Sequence, residues 1–368
     1  MSTEAAAGRA VRLASVREAL DRLGAEWLLA APSADFRWLT GAAARSTERL
    51  VLFALPARGA PFCLVPRLEA SPLAGECPWL ELEIWDEHED PFEHLARRVG
   101  LERRPATLVS DGLRTATLLR LASATPCRPA ALALEPLRAV KDAGELELLA
   151  TAAGHADRVV EAAADWMRPG MTERQVARHI LNAFEKLGDT DPWAIVASGP
   201  NAAMPHHFPS DRKLAQGEGV LLDLGASTGG YGSDITRTYW LGEPPAEARR
   251  VYDVVNAARA AGIAAVRVGA APEDVDRAAR AVIEAAGLGR HFTHRLGHGV
   301  GLEIHEPPYL VAGNRAPLAS GMVHSVEPGV YLEGRFGVRL EDLVVVEDGG
   351  ARRLNRAPFD LRPPGART

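Results

Sequence analysis

Four carboxylates in the second half of the chain stand in apolar runs or at hairpin spacing from one. Asp223 lies in Val220-Leu221-Leu222-Asp223-Leu224-Gly225, and Asp234 follows eleven residues later, past Gly229-Gly230. Glu327 interrupts Ser325-Val326-Glu327-Pro328-Gly329, and Glu341 falls fourteen residues on, in Val338-Arg339-Leu340-Glu341-Asp342-Leu343. An ionised carboxylate buried alone costs several kcal/mol or takes up a proton instead. Hairpins of this size bring acids on adjoining strands together, where they repel unless a cation holds them. Between the two pairs, His294, His298 and His305 fall within twelve residues, among glycines that allow close backbone approach, and Pro205-His206-His207 adds another imidazole.

Each piece alone has a plainer reading, since Asp before Gly and Glu-Pro-Gly are turn sequences and a histidine among glycines is commonly a polar loop. Their joint order, Asp, Asp, His, Glu, Glu, exceeds what ion pairs explain, because Arg237 and Arg339 are too few to neutralise four acids. One imidazole and four carboxylates form an oxygen-dominated donor set that suits Mn²⁺ or a similar divalent ion better than a structural zinc. Carboxylates that bridge suit two ions about 3.5–4 Å apart, which turn a bridging water into hydroxide near neutral pH and polarise a carbonyl oxygen. The implied chemistry is hydrolysis.

The elements that must position these residues follow from periodicity. Apolar strands broken by glycine are expected at Ala194–Ser198, Val220–Ala226, Gly230–Leu241, Met322–Tyr331 and Gly337–Val346, with Ala-rich helices at Ala246–Val266 and Pro272–Ala286. The order suggests helix plus β-ribbon twice over, a trace of internal symmetry. Ahead of them, Lys141 to Trp166 runs without proline as one long helix. The first part alternates a helix at residues 9–23, strands at Trp27–Ala30, Arg49–Leu55, Phe62–Val65, Leu80–Trp85 and Thr107–Val109, and helices at Pro91–Val99 and Gly112–Leu121. Cys127-Arg128-Pro129 and Glu135-Pro136-Leu137-Arg138 punctuate the chain, placing a domain boundary near residue 138.

Composition narrows the partners. Among 368 residues, 42 Lys plus Arg stand against 48 Asp plus Glu, a net charge of −6, which argues against nucleic-acid binding through bulk basic charge. Three cysteines, Cys63, Cys77 and Cys127, form no CxxC pair, so neither a disulfide framework nor a thiolate zinc cage is expected. No apolar run reaches the roughly 18 residues of a membrane helix, and Glu4, Arg9, Arg12 and Arg17 interrupt the alanines at the start. A cytoplasmic protein with no membrane partner is the expectation.

Five stretches carry a resemblance to a known family: Ser198 to His206 (SGPNxxxPH), Leu222 to Thr238 (LDLGAxxxGYxSDITRT), His294 to Pro308 (HxxGHGVGLxxHEPP), Met322 to Tyr331 (MVxSVEPGVY) and Gly337 to Asp342 (GVRLED). They resemble the pita-bread-fold metallopeptidases, the group of prolidase, aminopeptidase P, methionine aminopeptidase and metal-free creatinase. Phe36-Arg37-Trp38-Leu39-Thr40-Gly41 with Glu48-Arg49 is similar to the start of creatinase-like N-terminal domains, which points to the prolidase and aminopeptidase P branch. The resemblance implies an α/β (α+β) protein. A small creatinase-like N-terminal domain over 1–138 would precede a pita-bread catalytic domain over 139–368, with curved antiparallel sheets and flanking helices.

Residue by residue, the resemblance makes Asp223, Asp234, His298, Glu327 and Glu341 the ligands of two divalent ions. Asp234 and Glu341 would bridge, with Mn²⁺ the first choice and Co²⁺ or Zn²⁺ the alternatives. The hydroxide would attack the scissile carbonyl, with Glu327 as proton shuttle to the leaving proline nitrogen. His206 and His305 would assist substrate and oxyanion, His294 would shape the proline pocket, and Thr236 and Arg339 would orient the carboxylates. Proline's tertiary amide has no N–H to grip, so a pocket for the ring and a proton for its nitrogen are both needed. The activity expected first is Xaa-Pro dipeptidase, acting on small peptides as a homodimer. Aminopeptidase P on longer peptides, or hydrolysis of a small non-peptide substrate, is the alternative. A dipeptidase must also bind the substrate's free carboxylate, for which Arg315, Arg45 and Arg49 are candidates. His324 and His207 are read as neighbours of the site.

Overall fold

In the computed structural model, which describes residues 3–362, the apolar runs of the first part pair into one six-stranded mixed sheet. Its strands are β1 (Trp27–Ala30), β2 (Leu52–Pro56), β3 (Phe62–Pro66), β4 (Glu81–Trp85), β5 (Thr107–Val109) and β6 (Cys127–Pro129), in the order β4-β3-β2-β1-β5-β6. The accompanying helices are α1 (Thr3–Leu23), α2 (Ala34–Thr40), α3 (Arg67–Glu76), α4 (Pro91–Val99), α5 (Thr115–Ala124) and α6 (Ala131–Ala139). Every residue of β2 and β3 is buried, and Leu29, Phe62 and Leu64 pack with Leu95, Val99 and Leu121 into one core. Phe36 to Thr40 forms most of α2, which Ser33 caps at its start and the left-handed Gly41 ends.

Glu135-Pro136-Leu137-Arg138 does not break the chain as expected, because Pro136 lies inside α6. A proline there removes one helical hydrogen bond, but Ala131 to Leu134 are strong helix formers and Ala133 and Leu134 are buried. The contacts of the chain divide it into two compact units that meet between Arg138 and Ala139.

The second unit repeats one theme. Helices α7 (Ala143–Trp166) and α8 (Glu173–Lys186) precede strands β7 (Thr190–Ser198), β8 (Gly219–Thr228), β9 (Tyr231–Gly232) and β10 (Ile235–Trp240). Helices α9 (Ala246–Ala265) and α10 (Pro272–Ala285) then precede β11 (Gly297–Gly299), β12 (Glu306–Leu310), β13 (Val323–Val326), β14 (Gly329–Leu332), β15 (Phe336–Arg339), β16 (Asp342–Glu347) and β17 (Gly350–Arg353). The first half forms the antiparallel order β10-β8-β7, with β9 on β8; the second forms β12-β11-β13-β16-β17 and the β14-β15 ribbon. Capping boxes open both α7, through Asp142 and Glu145, and α8, through Thr172 and Gln175. Each helix pair buries an apolar face on its own half, as Val160, Ile180 and Phe184 do against Leu222 and Leu224, and Val255, Val275 and Ile283 against Val326 and Val344. Among the described residues no helix is long and apolar enough to cross a membrane.

The strands expected to be continuous around the acids are interrupted. Ser233-Asp234 separates β9 from β10, Glu327-Pro328 separates β13 from β14, and Leu340-Glu341 separates β15 from β16. Outside the ladder a side chain is released from strict alternation between sheet faces, so these three acids turn inward at breaks. Asp223 stays within a strand, opposite Thr236. Glycine is required where β15 meets the turn Gly199–Ala203, since a Cβ on Gly337 would lie 1.9 Å from the Ala202 carbonyl oxygen. Gly337→Ala is therefore expected to destabilise the protein by about 1–3 kcal/mol, read as a drop of several degrees in Tm; an unchanged Tm would contradict this packing.

Candidate metal centre

The four acids meet one imidazole in a cavity of about 540 Å³ inside the second unit, lined by Asp223, Asp234, His298, Glu327 and Glu341 together with His206, His294, His305, Arg295 and Arg339. Trp193, Ile195, Pro205 and Ile304 supply its apolar walls. Side-chain ligand atoms of Asp234, His298 and Glu341 all lie within 4.8 Å of one another. His298 Nε2 is 3.6 Å from Asp234 Oδ2 and 3.2 Å from Glu327 Oε1. Asp223 Oδ1, Asp234 Oδ1 and Glu341 Oε1 are buried with no hydrogen-bond partner among the described residues. Orphaned anionic oxygens of this kind are costly, and a divalent cation is the partner whose chemistry they fit.

The opposite sides of these carboxylates are tied down. Arg339 Nη2 bonds Asp223 Oδ2, and its Nε donates to Thr236 Oγ1 at 3.1 Å. Thr236 in turn donates its hydroxyl to Glu341 Oε2 at 2.6 Å. Ser325 Oγ accepts from the His298 backbone N–H at 3.0 Å and donates to Glu327 Oε1 at 3.1 Å. Arg237, counted in the sequence among the cations near the acids, points elsewhere: it pairs with Asp342 at 2.8 Å and bonds the carbonyl of Glu341. The acids are therefore less compensated than the sequence suggested.

Their electrostatics follow. Burial and the repulsion of neighbouring carboxylates push Asp234 and Glu341 well above the ordinary range. Asp223 is raised by burial too, against the pull of Arg339. Glu327 goes the other way: burial opposes its ionisation, but the hydrogen bond and charge of His298 hold it down to about 2.

The histidines separate by their partners. His294 Nδ1 lies 2.7 Å from the Arg295 carbonyl and must donate to it. Tyr331 OH accepts from Arg339 Nη1 at 3.0 Å, leaving its own proton for His294 Nε2 at 2.8 Å. Both nitrogens are thus engaged, and what His294 offers the cavity is a neutral ring wall. His305 sits edge-on to His298, ring centres 4.1 Å apart, and burial together with the charges of His298 and Arg295 lowers it to about 4. His206 lines the cavity, whereas His207 turns away to Glu173 Oε2 at 2.8 Å. His324 is fully buried against the sheet, opposite Val344, and does not line the cavity.

Arg315 is the expectation that the geometry corrects. It is exposed, salt-bridged to Glu273 at 2.8 Å, and absent from the cavity lining, because the Gly313-Asn314 turn docks on the start of α10. Arg49 pairs with Glu48 and Glu87 within the first unit. Three residues carried no expectation from sequence: Tyr331, Arg295 and Glu173. Glu173 had a local signal, the capping-box sequence Thr172-Glu173-Arg174-Gln175, and Tyr331 closes the MVxSVEPGVY stretch.

Residues 147–348 match the model of metallopeptidase family M24, and residues 12–140 match the creatinase/prolidase N-terminal domain. The chain belongs to metallopeptidase family M24. This M24 peptidase is 40% identical over 357 residues to the probable dipeptidase PepE of Mycobacterium tuberculosis, with 95% of each chain covered. Among solved structures it resembles dipeptidase PepE from Mycobacterium ulcerans, with a TM-score of 0.91, 41% identity and 96% and 97% of the two chains covered. It also resembles a prolidase from Thermococcus sibiricus, with a TM-score of 0.90, 35% identity and 95% and 98% covered. The peptidase thus has the creatinase-type N-terminal domain and the pita-bread M24 domain, and its family implies divalent metal ions and a small peptide substrate.

An acid whose pKa is raised by folding holds its proton in the folded state, so raising pH through that window withdraws stability. Metal-free protein is therefore expected to lose stability relative to Asp234→Asn as pH rises above about 4. A divalent ion should reverse the loss, and a flat difference in Tm between the two proteins across this range would refute the crowding of charge.

Proposed function

We propose that this M24 peptidase is an Xaa-Pro dipeptidase in which Asp223, Asp234, His298, Glu327 and Glu341 hold two divalent ions, Mn²⁺ in the first place. When bound, such ions acidify a water and polarise a carbonyl oxygen. Glu327, ionised and beside His298, takes the proton of the attacking water and passes it to the ring nitrogen of the leaving proline. His305, kept neutral, donates a hydrogen bond to the carbonyl oxygen as negative charge develops there. His206, which also lines the cavity, contacts the substrate, and the neutral ring of His294 packs against the proline.

The observation that carries the dipeptidase reading is the state of the cavity's two arginines. Arg339 is consumed by Asp223, Thr236 and Tyr331. Arg295 lines the same cavity with no carboxylate partner among the described residues, its guanidinium stacked 4.4 Å from the Tyr309 ring centre. A guanidinium that lines the cavity over an aromatic ring, without a carboxylate partner among the described residues, is matched to a carboxylate, here the free terminus of a two-residue substrate. The dipeptidase and prolidase names of the relatives agree with this substrate class.

Proline release from Leu-Pro and from Leu-Pro-Gly, with Mn²⁺ and with EDTA, tests the reading. Turnover of Leu-Pro that EDTA removes is the expected result; preferential cleavage of Leu-Pro-Gly would make the protein an aminopeptidase P instead. Asp234→Ala should abolish metal-dependent hydrolysis while the fold persists. Arg295→Met should raise KM for Leu-Pro about tenfold or more, and an unchanged KM would remove Arg295 from the substrate.

A further inference from the structure

One buried carboxylate outside the cavity holds the whole loop that carries His206. Glu173 is the first residue of α8, where the helix N-terminus favours negative charge, and its side chain has no exposed surface. Its Oε1 accepts from the Ser198 backbone N–H and hydroxyl, both at 2.8 Å, and from Asn201 Nδ2 at 3.0 Å. Its Oε2 accepts from His207 Nε2 at 2.8 Å and from the Ser210 backbone N–H and hydroxyl at 3.0 and 2.7 Å. Every donor belongs to the segment 198–210. Buried carboxylates seldom collect so many donors, and here no Lys or Arg is among them.

The segment so held presents two groups to the cavity side. His206 lines the cavity, and the Pro205 carbonyl accepts from Arg339 Nη1 at 3.2 Å. Neither touches Glu173. The link is stereochemical, since the side chain next to His206 is His207, and anchoring His207 on the Glu173 side leaves His206 facing the cavity. The Arg339 bond holds the Pro205 backbone but not the His206 side chain, and Met204 and Phe208 on either side are exposed, Phe208 to 86%.

We infer that Glu173 is a positioning residue for the peptidase reaction, placing His206 by holding its neighbours Ser198, Asn201, His207 and Ser210. This rests on the peptidase reading above, in which His206 contacts the substrate. Glu173→Gln keeps the shape but turns an acceptor into a donor facing hydroxyls, backbone N–H groups and an imidazole N–H. It is expected to lower kcat/KM for Leu-Pro about tenfold or more, with the bound metal per chain unchanged because no metal ligand lies on the segment.

The decisive comparison is a double-mutant cycle with His206→Ala. If Glu173 acts through His206, Glu173→Gln costs little more once His206 is gone; if the two losses multiply, the inference is wrong. Should Glu173→Gln fail to fold, Ser210→Ala removes a single hydroxyl donor and enters the same cycle. A readout independent of turnover is the ¹H–¹⁵N imidazole spectrum of the metal-free protein. One His206 signal in the wild type should broaden or split in Glu173→Gln, and an unaltered signal would overturn the inference even if Leu-Pro proved not to be the substrate.

Discussion

Carboxylates crowded into a desolvated space repel one another and lose their hydration, and both effects grow as the surroundings become less polar. The second unit of this protein is organised around that cost. Asp223, Asp234 and Glu341 each keep one buried oxygen without a hydrogen-bond partner among the described residues, while Arg339 and Thr236 bond Asp223 and Glu341 through their other oxygens. Had Arg237 turned inward, two guanidiniums would face the four carboxylates and the unmet charge would be smaller. It is held away instead by Asp342 and by the carbonyls of Thr236, Glu341 and Ala357. The polypeptide thereby keeps an unmet electrostatic demand at one place, and the divalent ions of the proposed centre would meet it.

Holding such a centre together in the absence of self-attraction requires anchors around it. Asp342, next to Glu341, accepts from Arg237 and Arg259 at 2.8 Å each, and Arg353 lies within 2.9 Å. All three guanidiniums pack over the Phe359 ring. Buried ion pairs contribute little net stability compared with apolar packing, but breaking one is expensive, so they fix geometry more than they add free energy. Lys141 and Glu306, buried and 2.8 Å apart, do the same for the strand that follows His305. Glu173 does it for the loop that carries His206, with neutral donors and one imidazole.

The histidines show how one residue type is differentiated by its surroundings. His298 approaches the acids and lowers Glu327. His294 is held as a neutral wall by Tyr331 and a carbonyl, and His305 is neutral but able to donate. His207 is an anchor, and His324 is sealed inside the sheet, where burial lowers it to about 4. Spacing in the chain does not separate these cases. For His294, His298 and His207 the difference lies in what one ring nitrogen meets, and that is decided by residues tens of positions away.

Much was nonetheless legible in the sequence. Anomalies of charge in apolar runs singled out Asp223, Glu327 and Glu341, because burial of an unpaired acid is improbable in any fold, and hairpin spacing added Asp234; all four line one cavity with His298. Helices at Pro91–Val99, Ala143–Trp166 and Ala246–Ala265 were visible because periodicity and capping are local. What only the tertiary structure decided were pairings between distant segments. These include the breaks that turn Asp234, Glu327 and Glu341 inward, the diversion of Arg237 to Asp342, and the placement of Arg295 rather than Arg315 in the cavity. Glu173 gathering a loop from Ser198 to Ser210 belongs with them. A sequence records which groups need a partner; which partner they find is settled by the geometry of strands and helices brought together from far along the chain.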